Sequence, residues 1–311
     1  MNLYRFTLQV KSAFGTPLVG DSLFGQCCWA IANRFGTSRL TALLEGYTQQ
    51  KPFMVVSDAM PQGYIPLPTL PSLYWEKGQE TDRKKLKKKQ WLKTEHLQQK
   101  SEVWQTLAQS EQDIHFTTKE CLQPHNSINR ATHTTGKEGF APYSTSQIWY
   151  SPNTLLDLYI LLDENRFSVT ECKQILTDIG LTGFGRDASI GLGKFCIIRN
   201  ETQTFNISDN PNAYLTLANC APQNLNLDKM HSYYQITTRF GRHGDLAAIG
   251  QNPFKKPIIL AKKAAIFTPK EWKTTPFLGN GLADVSYAQP EAVHQGYAPV
   301  IPLTIDFSRL G

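Results

Sequence analysis

The sequence predicts an α+β protein of two domains. A chain of 311 residues is long enough for two modest domains, each with its own hydrophobic core. In the first 200 residues, strand and helix patterns follow the order βαββαβ, which is the order of the ferredoxin-like fold and is also used by RRM domains. After residue 212 the patterns favour strands. We therefore expect two tandem ferredoxin-like (RRM-like) domains, residues 1–200 and 213–311, joined by a polar linker at residues 201–212.

The predicted first strand and first helix open the chain. Residues 2–10 alternate between apolar and polar side chains like a strand, and they lack the continuous apolar core of a signal peptide. Gly20, Asp21 and Ser22 are the predicted N-cap of a helix that runs to about Phe35. Its first turn offers amides to a phosphate, but simple capping explains Asp21 and Ser22 equally well, so both interpretations stay open. The apolar face of this helix is formed by Phe24, Cys27, Cys28, Ile31 and Phe35.

The remaining elements of the first domain follow from the same kinds of pattern. We predict a short helix near residues 38–47, a strand at residues 53–57 and a buried strand at Leu155–Leu162. A second long helix should run from Val169 to Ile179 and end at Gly180, and a strand should follow at residues 195–199.

A polar insertion, at about residues 76–112, interrupts this domain. A run of basic residues is usually a solvated helix face or a mobile loop. The alternative is sequence-independent binding of RNA backbone, which would weaken steeply with salt. The sequence leaves both open. The basic residues of the run are Arg83, Lys84, Lys85, Lys87, Lys88, Lys89 and Lys93.

Two polar arms around a glycine-containing tip predict a projecting β-hairpin at about residues 121–150. Its dense His, Asn, Arg and Thr content makes poor core and good ligand surface. His125 and His133 could act as general acid and base in a metal-independent ribonuclease, but the spacing supplies no clear partner. Histidines in such a loop more often form hydrogen bonds or stack on bases.

Residues 182–195 form the most informative stretch, because Gly183, Gly185, Gly191 and Gly193 allow positive φ and a close approach to a ligand. Exposed amides in such a turn make a concave anion site. The stretch matches neither a P-loop, since no Gly-Lys-Ser/Thr follows, nor the dinucleotide motif, since it precedes a strand. A phosphodiester ligand fits it, and the alternative is a flexible connection between a helix and a strand with unusual turns. The side chains that add donors suited to phosphate are Arg186, Ser189 and Lys194.

Composition narrows the class of protein further. The formal net charge of +6 favours polyanionic partners. The six cysteines contain no C-x-x-C pair, so we expect no zinc site, and we interpret them as reduced thiols of a cytoplasmic protein. We also expect no cofactor. The longest apolar run, Leu155–Leu162, is too short to span a membrane.

The predicted second domain is read from strand patterns alone. The segment from Phe240 to Gly244 is another cationic glycine loop, more typical of a plain turn than of a ligand site. The predicted strands are residues 213–217, 232–240, 257–260, 264–267 and 300–307.

Three segments resemble one family. The pattern Gly-Phe-Gly-Arg-x-x-Ser-x-Gly-Leu-Gly-Lys-Phe at residues 183–195 resembles the glycine-rich loop of the RAMP superfamily of CRISPR-associated RNA-binding proteins. The pattern His-Asn-x-Ile-Asn-Arg at residues 125–130, followed by Thr132 and Phe140, resembles a thumb-like hairpin segment of the fourth subunit of type III-A (Csm) effectors. His-x-Gly-Tyr-Ala at residues 294–298 resembles a segment near the C-terminus of that same subunit family.

This resemblance implies a non-catalytic subunit that holds the 5′ repeat-derived tag of the crRNA. The implied partners are the large polymerase/HD-type subunit, the backbone RAMP subunits, and target RNA near the tag–spacer junction. A repeat-processing endoribonuclease is the rival, and a type III-B or III-D equivalent shares the fold. Two interpretations of His294 and Tyr297 stay open: they stack on RNA bases, or they are a buried pair in a strand. The implied RNA-binding residues are Ser22, His125, Asn126, Asn129, Arg130, Thr132, Phe140, Gly183, Gly185, Arg186, Ser189, Gly191, Gly193, Lys194, His294, Gly296 and Tyr297.

Overall fold

A computed structural model describes residues 1–116, 118–136, 139–205, 210–243 and 253–310. Parts of three predicted features lie outside these ranges: residues 206–209 of the linker, Lys137 and Glu138 at the hairpin tip, and Gly244 of the second glycine loop. Within the described ranges, no helix combines the length and the hydropathy that crossing a membrane requires.

The first two-thirds of the chain mix helices and strands. In chain order its elements are β1 (Asn2–Val10), α1 (Gly20–Phe35), α2 (Thr37–Leu44), β2 (Met54–Val56), β3 (Met60–Pro61), β4 (Tyr64–Pro66), α3 (Arg83–Lys88), β5 (Trp91–Lys93), α4 (Trp104–Leu107), β6 (Thr118–His125), β7 (Tyr143–Tyr150), β8 (Leu155–Leu162), α5 (Val169–Thr182) and β9 (Phe195–Thr202).

The main sheet of this part is antiparallel and has the order β2-β8-β1-β9, with β3 also paired to β8. Together with α1 and α5, its four main strands follow the predicted βαββαβ order. The prediction of an α+β protein is therefore confirmed. The loop that follows α5 leads directly into β9, an edge strand, so it emerges at the rim of the sheet.

Strand β8 is buried along almost its whole length, because both faces of the sheet are covered. Leu158 and Ile160 pack into the core formed with α1 and α5, whereas Tyr159 packs into a second core that contains strands of the C-terminal part. The buried carboxylate of Asp157 accepts hydrogen bonds from Thr7 Oγ1 at 2.8 Å and from the Gly63 amide at 2.9 Å. An apolar run interrupted only by the paired Asp157 therefore marks a strand that is buried on both faces.

Two predicted helix boundaries are wrong. Helix α1 begins after Val19 without a side-chain cap, and its Gly20 amide donates instead to Asp58 Oδ1 at 2.9 Å. Helix α5 continues past Gly180 to Thr182, where Gly183 ends it. Gly180 is a packing glycine, since a Cβ there would lie 2.3 Å from the carbonyl oxygen of Phe195.

The predicted insertion forms a small ordered layer. It contains α3, β5 and α4, and β5 pairs with β4. Its side chains Trp91 and Trp104, together with Trp75 just before it, are buried in the same core as Tyr159 and Leu303. The insertion is thus packed against the body of the protein.

The C-terminal part is β-rich, as predicted, and its described residues contain no α-helix. Strand Phe277–Leu282 is absent from the predictions, and the final strand begins at His294 and ends at Leu303, earlier than predicted. A second ferredoxin-like unit therefore stays a prediction. The strands of the C-terminal part are β10 (Ala213–Thr216), β11 (Ile236–Arg239), β12 (Ile258–Ala261), β13 (Ile266–Phe267), β14 (Phe277–Leu282) and β15 (His294–Leu303). Four of them form a sheet in the order β13-β10-β15-β14.

A buried side-chain amide joins β15 to the main sheet. Gln295 Nε2 donates to the carbonyl oxygen of Val56, and Gln295 Oε1 accepts from the Val56 amide, both at 2.8 Å. Gln295 is fully buried, so water cannot replace either bond. The Gln295 side chain therefore makes the hydrogen bonds to the edge of β2 that a neighbouring strand would make.

Replacing Gln295 with Leu should destabilise the protein strongly, because it leaves the amide and the carbonyl of Val56 buried without partners. Two such groups cost about 2–4 kcal/mol together. Urea unfolding monitored by circular dichroism would measure the loss. Gln98→Leu, at an exposed position of the insertion, is the matched control and should change the midpoint little. Equal midpoints for the two variants would contradict the assignment.

Candidate nucleic-acid interface

All four glycines of the loop after α5 adopt positive φ. The angles are 102° at Gly183, 76° at Gly185, 100° at Gly191 and 72° at Gly193, in the region that favours glycine. Asp187 is also left-handed, at 64°. The loop therefore has the unusual backbone that the sequence predicted.

The space around the glycines shows why three of them are needed. A Cβ at Gly183 would lie 2.3 Å from the Leu192 carbonyl oxygen, and one at Gly193 would lie 2.2 Å from the Phe184 carbonyl oxygen. A Cβ at Gly185 would lie 2.7 Å from Thr16 Cβ. These three glycines let the loop pack on itself and on the body, whereas a Cβ at Gly191 would meet only open space.

Most backbone amides of the loop are used within the protein. The Phe184 amide donates to Gly193, the Leu192 amide to Asp187, and the Gly193 amide to Ala13. Among the described residues, the consecutive amides of Asp187, Ala188 and Ser189 have no hydrogen-bond partner. Consecutive unpaired amides beside a left-handed residue form an anion-binding concavity.

The three polar side chains that were predicted to bind phosphate are all exposed, but they are not equivalent. Arg186 donates through Nη2 to the Ser146 carbonyl oxygen in β7, and its Nε lies 3.2 Å from Asp187 Oδ2. It therefore fastens the loop to the hairpin. Ser189 and Lys194 extend from the same loop, and among the described residues their side chains make no hydrogen bond or ion pair.

One connector, residues 11–16, holds the glycine loop and the hairpin against each other. On one side it accepts hydrogen bonds from the loop: Gly193 donates to the Ala13 carbonyl at 2.7 Å, and the Arg186 amide donates to Thr16 Oγ1 at 3.0 Å. On the other side Phe14 exchanges two backbone bonds with Ile148 of β7, at 2.9 and 2.8 Å. Loop and hairpin therefore share one surface.

The predicted hairpin is present and is formed by β6 and β7, which pair over eight residues from Thr118↔Tyr150 to His125↔Tyr143. Beyond the strands, Asn129 and Thr134 form an isolated β-bridge that closes a second turn, at residues 129–134, within the segment that connects β6 to β7. Strand alternation places Tyr143 and Trp149 on one face with Lys119 and His125. That face presents aromatic rings and a cation to solvent, an arrangement suited to single-stranded nucleic acid.

Tyr143 and Trp149 are about half exposed and were missed by the sequence analysis. The alternation Tyr-Thr-Gln-Trp at positions 143, 145, 147 and 149 is the signal that would have placed them on one face.

The two histidines that were considered for catalysis lie in different parts of the hairpin. The His125 ring stacks on Tyr143 at 5.3 Å between centroids, and its Nε2 lies 3.0 Å from Thr145 Oγ1. His133 is exposed in the second turn with a positive φ of 56°, and its amide donates to Asn129. Neither imidazole has a carboxylate or a second histidine as a hydrogen-bond partner among the described residues.

The other predicted hairpin residues lie along the projecting tip. Asn126, Arg130 and Thr132 are exposed, whereas Asn129 and Phe140 are half-buried. Asn129 Oδ1 accepts from the Ala131 amide at 2.9 Å and so shapes the turn. The structure therefore offers the first three side chains to a ligand and gives Asn129 a structural bond.

The predicted C-terminal site residues do not face solvent. The Tyr297 ring is fully buried against Tyr47 and Phe277, and its hydroxyl donates to the Tyr47 carbonyl at 2.6 Å. A Cβ at Gly296 would lie 2.5 Å from the Asn280 carbonyl oxygen. The burial alternative describes Tyr297, because a ring without accessible surface cannot stack on a base.

Ser22 and His294 come together in a buried polar cluster at the start of α1. The Asp21 carboxylate accepts hydrogen bonds from Arg239 at 2.9 Å and from Asn219 at 3.1 Å, and Ser22 Oγ accepts from Arg239 at 2.5 Å. His294 Nε2 lies 3.8 Å from Asp21 Oδ2 and has no hydrogen-bond partner among the described residues. Asp21 therefore joins the two parts of the chain.

Burial lowers the pKa of His294 to about 4, against the favourable influence of Asp21, while Lys255 and Arg239 lower it further. The imidazole is consequently neutral in the folded protein near neutral pH. The described residues hold no group of three or more His, Cys, Asp or Glu side chains that could bind a metal ion.

Protein stability should fall as the pH decreases from 6.5 towards 4, because the unfolded chain binds a proton at His294 that the folded chain excludes. His294→Leu should make this fall shallower. The measurement is the free energy of unfolding by urea at several pH values in this window. Gln98→Leu, at an exposed position of the insertion that carries no titratable group, should leave the slope unchanged. A slope that His294→Leu does not alter would contradict the assignment.

Comparison with known proteins identifies the fold. No protein-family model and no curated protein matches the chain. A chain of the "Csm3-Csm4 subcomplex in the type III-A CRISPR-Cas interference complex" superposes with a TM-score of 0.62 at 16% identity, covering 98% of this chain and 100% of that one. A chain of the "Csm1-Csm4 cassette in complex with AMPPNP" superposes with a TM-score of 0.58 at 15% identity, covering 98% of both.

The same cassette in complex with cA4 gives a TM-score of 0.58 at 14% identity over 97% of this chain. The similarity therefore extends over nearly the whole chain, including the insertion and the β-rich C-terminal part. The protein has the fold of a subunit found in these type III-A CRISPR structures.

Proposed function

We propose that this chain is the fourth subunit of a type III-A CRISPR effector and that it holds the 5′ repeat-derived tag of the crRNA. The observation that carries the proposal is the connector at residues 11–16, which bonds to the glycine loop and to the hairpin at once. An anion-binding loop and an aromatic hairpin face on one rigid support are the two components that binding of single-stranded RNA needs.

The loop would bind phosphate mainly through its backbone. The unpaired amides of Asp187, Ala188 and Ser189 supply donors, and the Ser189 hydroxyl and the Lys194 ammonium add side-chain contacts. Arg186 contributes by fastening the loop to β7. In this mechanism the glycines shape the loop, and only the open side of Gly191 lies free for close approach of a ligand.

The hairpin would bind the guide where the tag meets the spacer. Tyr143 and Trp149 offer stacking planes, and Arg130 and Lys119 offer cations to the backbone. Target RNA paired to the guide near this junction would lie along the same face. Stacking and charge contacts tolerate any base, as a subunit that carries many different guides requires.

The structural comparisons support the placement in the complex. Csm4 is the component that the Csm1-Csm4 and Csm3-Csm4 structures have in common by name. A subunit in that position would contact the large polymerase-like subunit on one side and the RAMP backbone on the other. These contacts belong to the proposal, together with a cytoplasmic location.

Ser189→Asp should weaken binding of tagged guide RNA, because it places a carboxylate beside the three unpaired amides. Loss of one charge-assisted contact corresponds to a Kd that is about 10- to 100-fold higher. Fluorescence anisotropy with the same RNA with and without its tag measures the effect. The matched control is Ser72→Asp, at an exposed position shortly before the insertion. If Ser189→Asp folds normally and still prefers tagged RNA as strongly as the unmodified protein, the loop is not the tag site.

Ser189→Asp is a better test of the loop than a bulkier residue at Gly185 or Gly191. A side chain at Gly185 would collide with Thr16, and one at Gly191 would be strained by its φ of 100°, so either change would disturb the loop itself. Ser189 is exposed in a right-handed turn and accepts substitution without such strain.

The subunit should leave repeat–spacer RNA intact when it is incubated alone, because neither His125 nor His133 has a catalytic partner among the described residues. End-labelled RNA on a denaturing gel, with EDTA present, is the measurement. Cleavage at one position that His125→Ala abolishes would establish the repeat-processing endoribonuclease instead. The same RNA with catalytically competent processing enzyme serves as the positive control.

A further inference from the structure

The most concentrated charge in the molecule lies in the insertion, outside the proposed tag site. Residues 82–93 contain seven basic residues and one acidic residue, a net charge of +6. The whole chain also carries +6, so the remainder is neutral overall. We call the basic residues of this segment the lysine ridge. They are Arg83, Lys84, Lys85, Lys87, Lys88, Lys89 and Lys93.

The ridge is held in place by its neighbours. The Asp82 carboxylate caps α3 by accepting from the Lys84 amide at 2.8 Å, and Lys89 Nζ donates to the Thr106 carbonyl at 3.1 Å. Shortly after α3, Trp91 and Leu92 are buried in the core that also contains Trp75 and Trp104. The basic side chains therefore project from a fixed support, and all those of α3 are exposed.

This arrangement is electrostatically costly for the isolated protein. Residues four apart on a helix are neighbours, so Lys84 faces Lys88 and Arg83 faces Lys87, and each like-charge pair destabilises the helix. Among the described residues, α3 makes one ion pair, between Lys85 and Glu80 at 3.4 Å. A polyanionic partner would relieve this repulsion.

The position of the ridge relative to the hairpin points to the partner. The Trp91 ring contacts Phe116 at 6.2 Å between centroids, and Phe116 contacts Tyr150 at the root of β7 at 5.9 Å. Gln90 also bonds to Glu111 in the segment that leads into β6. The support of the ridge is thus continuous with the base of the hairpin.

We propose that the lysine ridge binds the sugar-phosphate backbone of single-stranded RNA that continues past the hairpin, by charge and without base recognition. The choice of RNA as the polyanion rests on the proposed function, whereas the charge and the fixed support stand without it. RNA that lies along the hairpin face would reach the ridge after leaving the root of β7. The ridge would add affinity to every RNA equally.

The composition of the ridge disfavours two other classes of partner. A membrane-surface helix needs an apolar face, but the only apolar residue of α3 is the half-buried Leu86. Protein interfaces are enriched in aromatic residues and depleted of lysine, whereas the ridge contains six lysines and exposes no aromatic ring. A phosphodiester chain needs only positive charge at regular intervals.

The test compares two fourfold variants of the full chain. One changes Lys84, Lys85, Lys87 and Lys88 to Gln, and the matched control changes the exposed Lys173, Lys229, Lys270 and Lys273 to Gln, which removes the same charge elsewhere. The probe is a uridine homopolymer without a tag, and its Kd is measured over a range of potassium chloride concentrations.

The ridge variant should reduce the slope of log Kd against log salt by about 2 to 3, since each lost contact to single-stranded nucleic acid removes about 0.7. The control should keep the slope of the unmodified protein. Equal reductions in the two variants, or no reduction in either, would overturn the proposal. Loss of binding to phosphatidylserine vesicles or to polyglutamate by the ridge variant, with RNA binding unchanged, would overturn it in favour of a membrane or an acidic protein.

The two proposals fail separately. The ridge variant should keep the preference for tagged over untagged RNA, because the glycine loop is unchanged, while Ser189→Asp should lose that preference and keep its salt slope for the homopolymer. If the ridge result holds and tag preference is absent in the unmodified protein, only the tag assignment fails. A ridge variant that loses tag preference itself would overturn the proposal that the ridge adds affinity to every RNA equally.

Discussion

Backbone hydrogen bonds from the connector at residues 11–16 are the constraint on which the proposed site depends. The connector leaves β1 and bonds to the glycine loop through the Ala13 carbonyl and the Thr16 hydroxyl, and between them Phe14 pairs with β7. The buried centre of the connector, Ala13 and Phe14, must satisfy its backbone polar groups, and the loop and the hairpin supply partners. The tight fit explains the glycines, because a side chain at Gly185 or Gly193 would separate the loop from itself or from the connector.

The body of the protein depends on a second set of buried polar contacts. Gln295 completes the edge of β2, and the Asp21 carboxylate gathers Arg239, Asn219 and Ser22 between α1 and the C-terminal part. A polar group inside a core is costly unless it is paired, so such contacts specify one arrangement of the packed parts more sharply than apolar contacts do. They hold the surface that carries the loop and the hairpin.

The sequence predicted best the features whose signals are local. The buried strand Leu155–Leu162 follows from an apolar run, and the left-handed backbone of the glycine loop follows from its glycines. It predicted poorly the features that tertiary partners decide. Gly180 looked like a helix end but serves close packing against β9, and Asp21 looked like a cap although its partners are more than 190 residues away in the chain. Exposure of Tyr297 could not be read from its motif, because burial depends on Tyr47 and Phe277, which lie far from it in sequence.

The two proposed RNA-binding surfaces use different physics, and their separation has a consequence. Amides at Asp187–Ser189 are fixed dipoles with a defined geometry, so they can hold a phosphate at one defined position. The lysine ridge consists of flexible charges on a rigid support and fixes no such position. The charges of the ridge would raise the association rate and lower the dissociation rate of any RNA. The loop amides would instead fix the position of the RNA along the protein. A subunit that must accept any guide sequence, yet always hold the same end of it, needs both kinds of contact on separate surfaces, because each would compromise the other if they were combined.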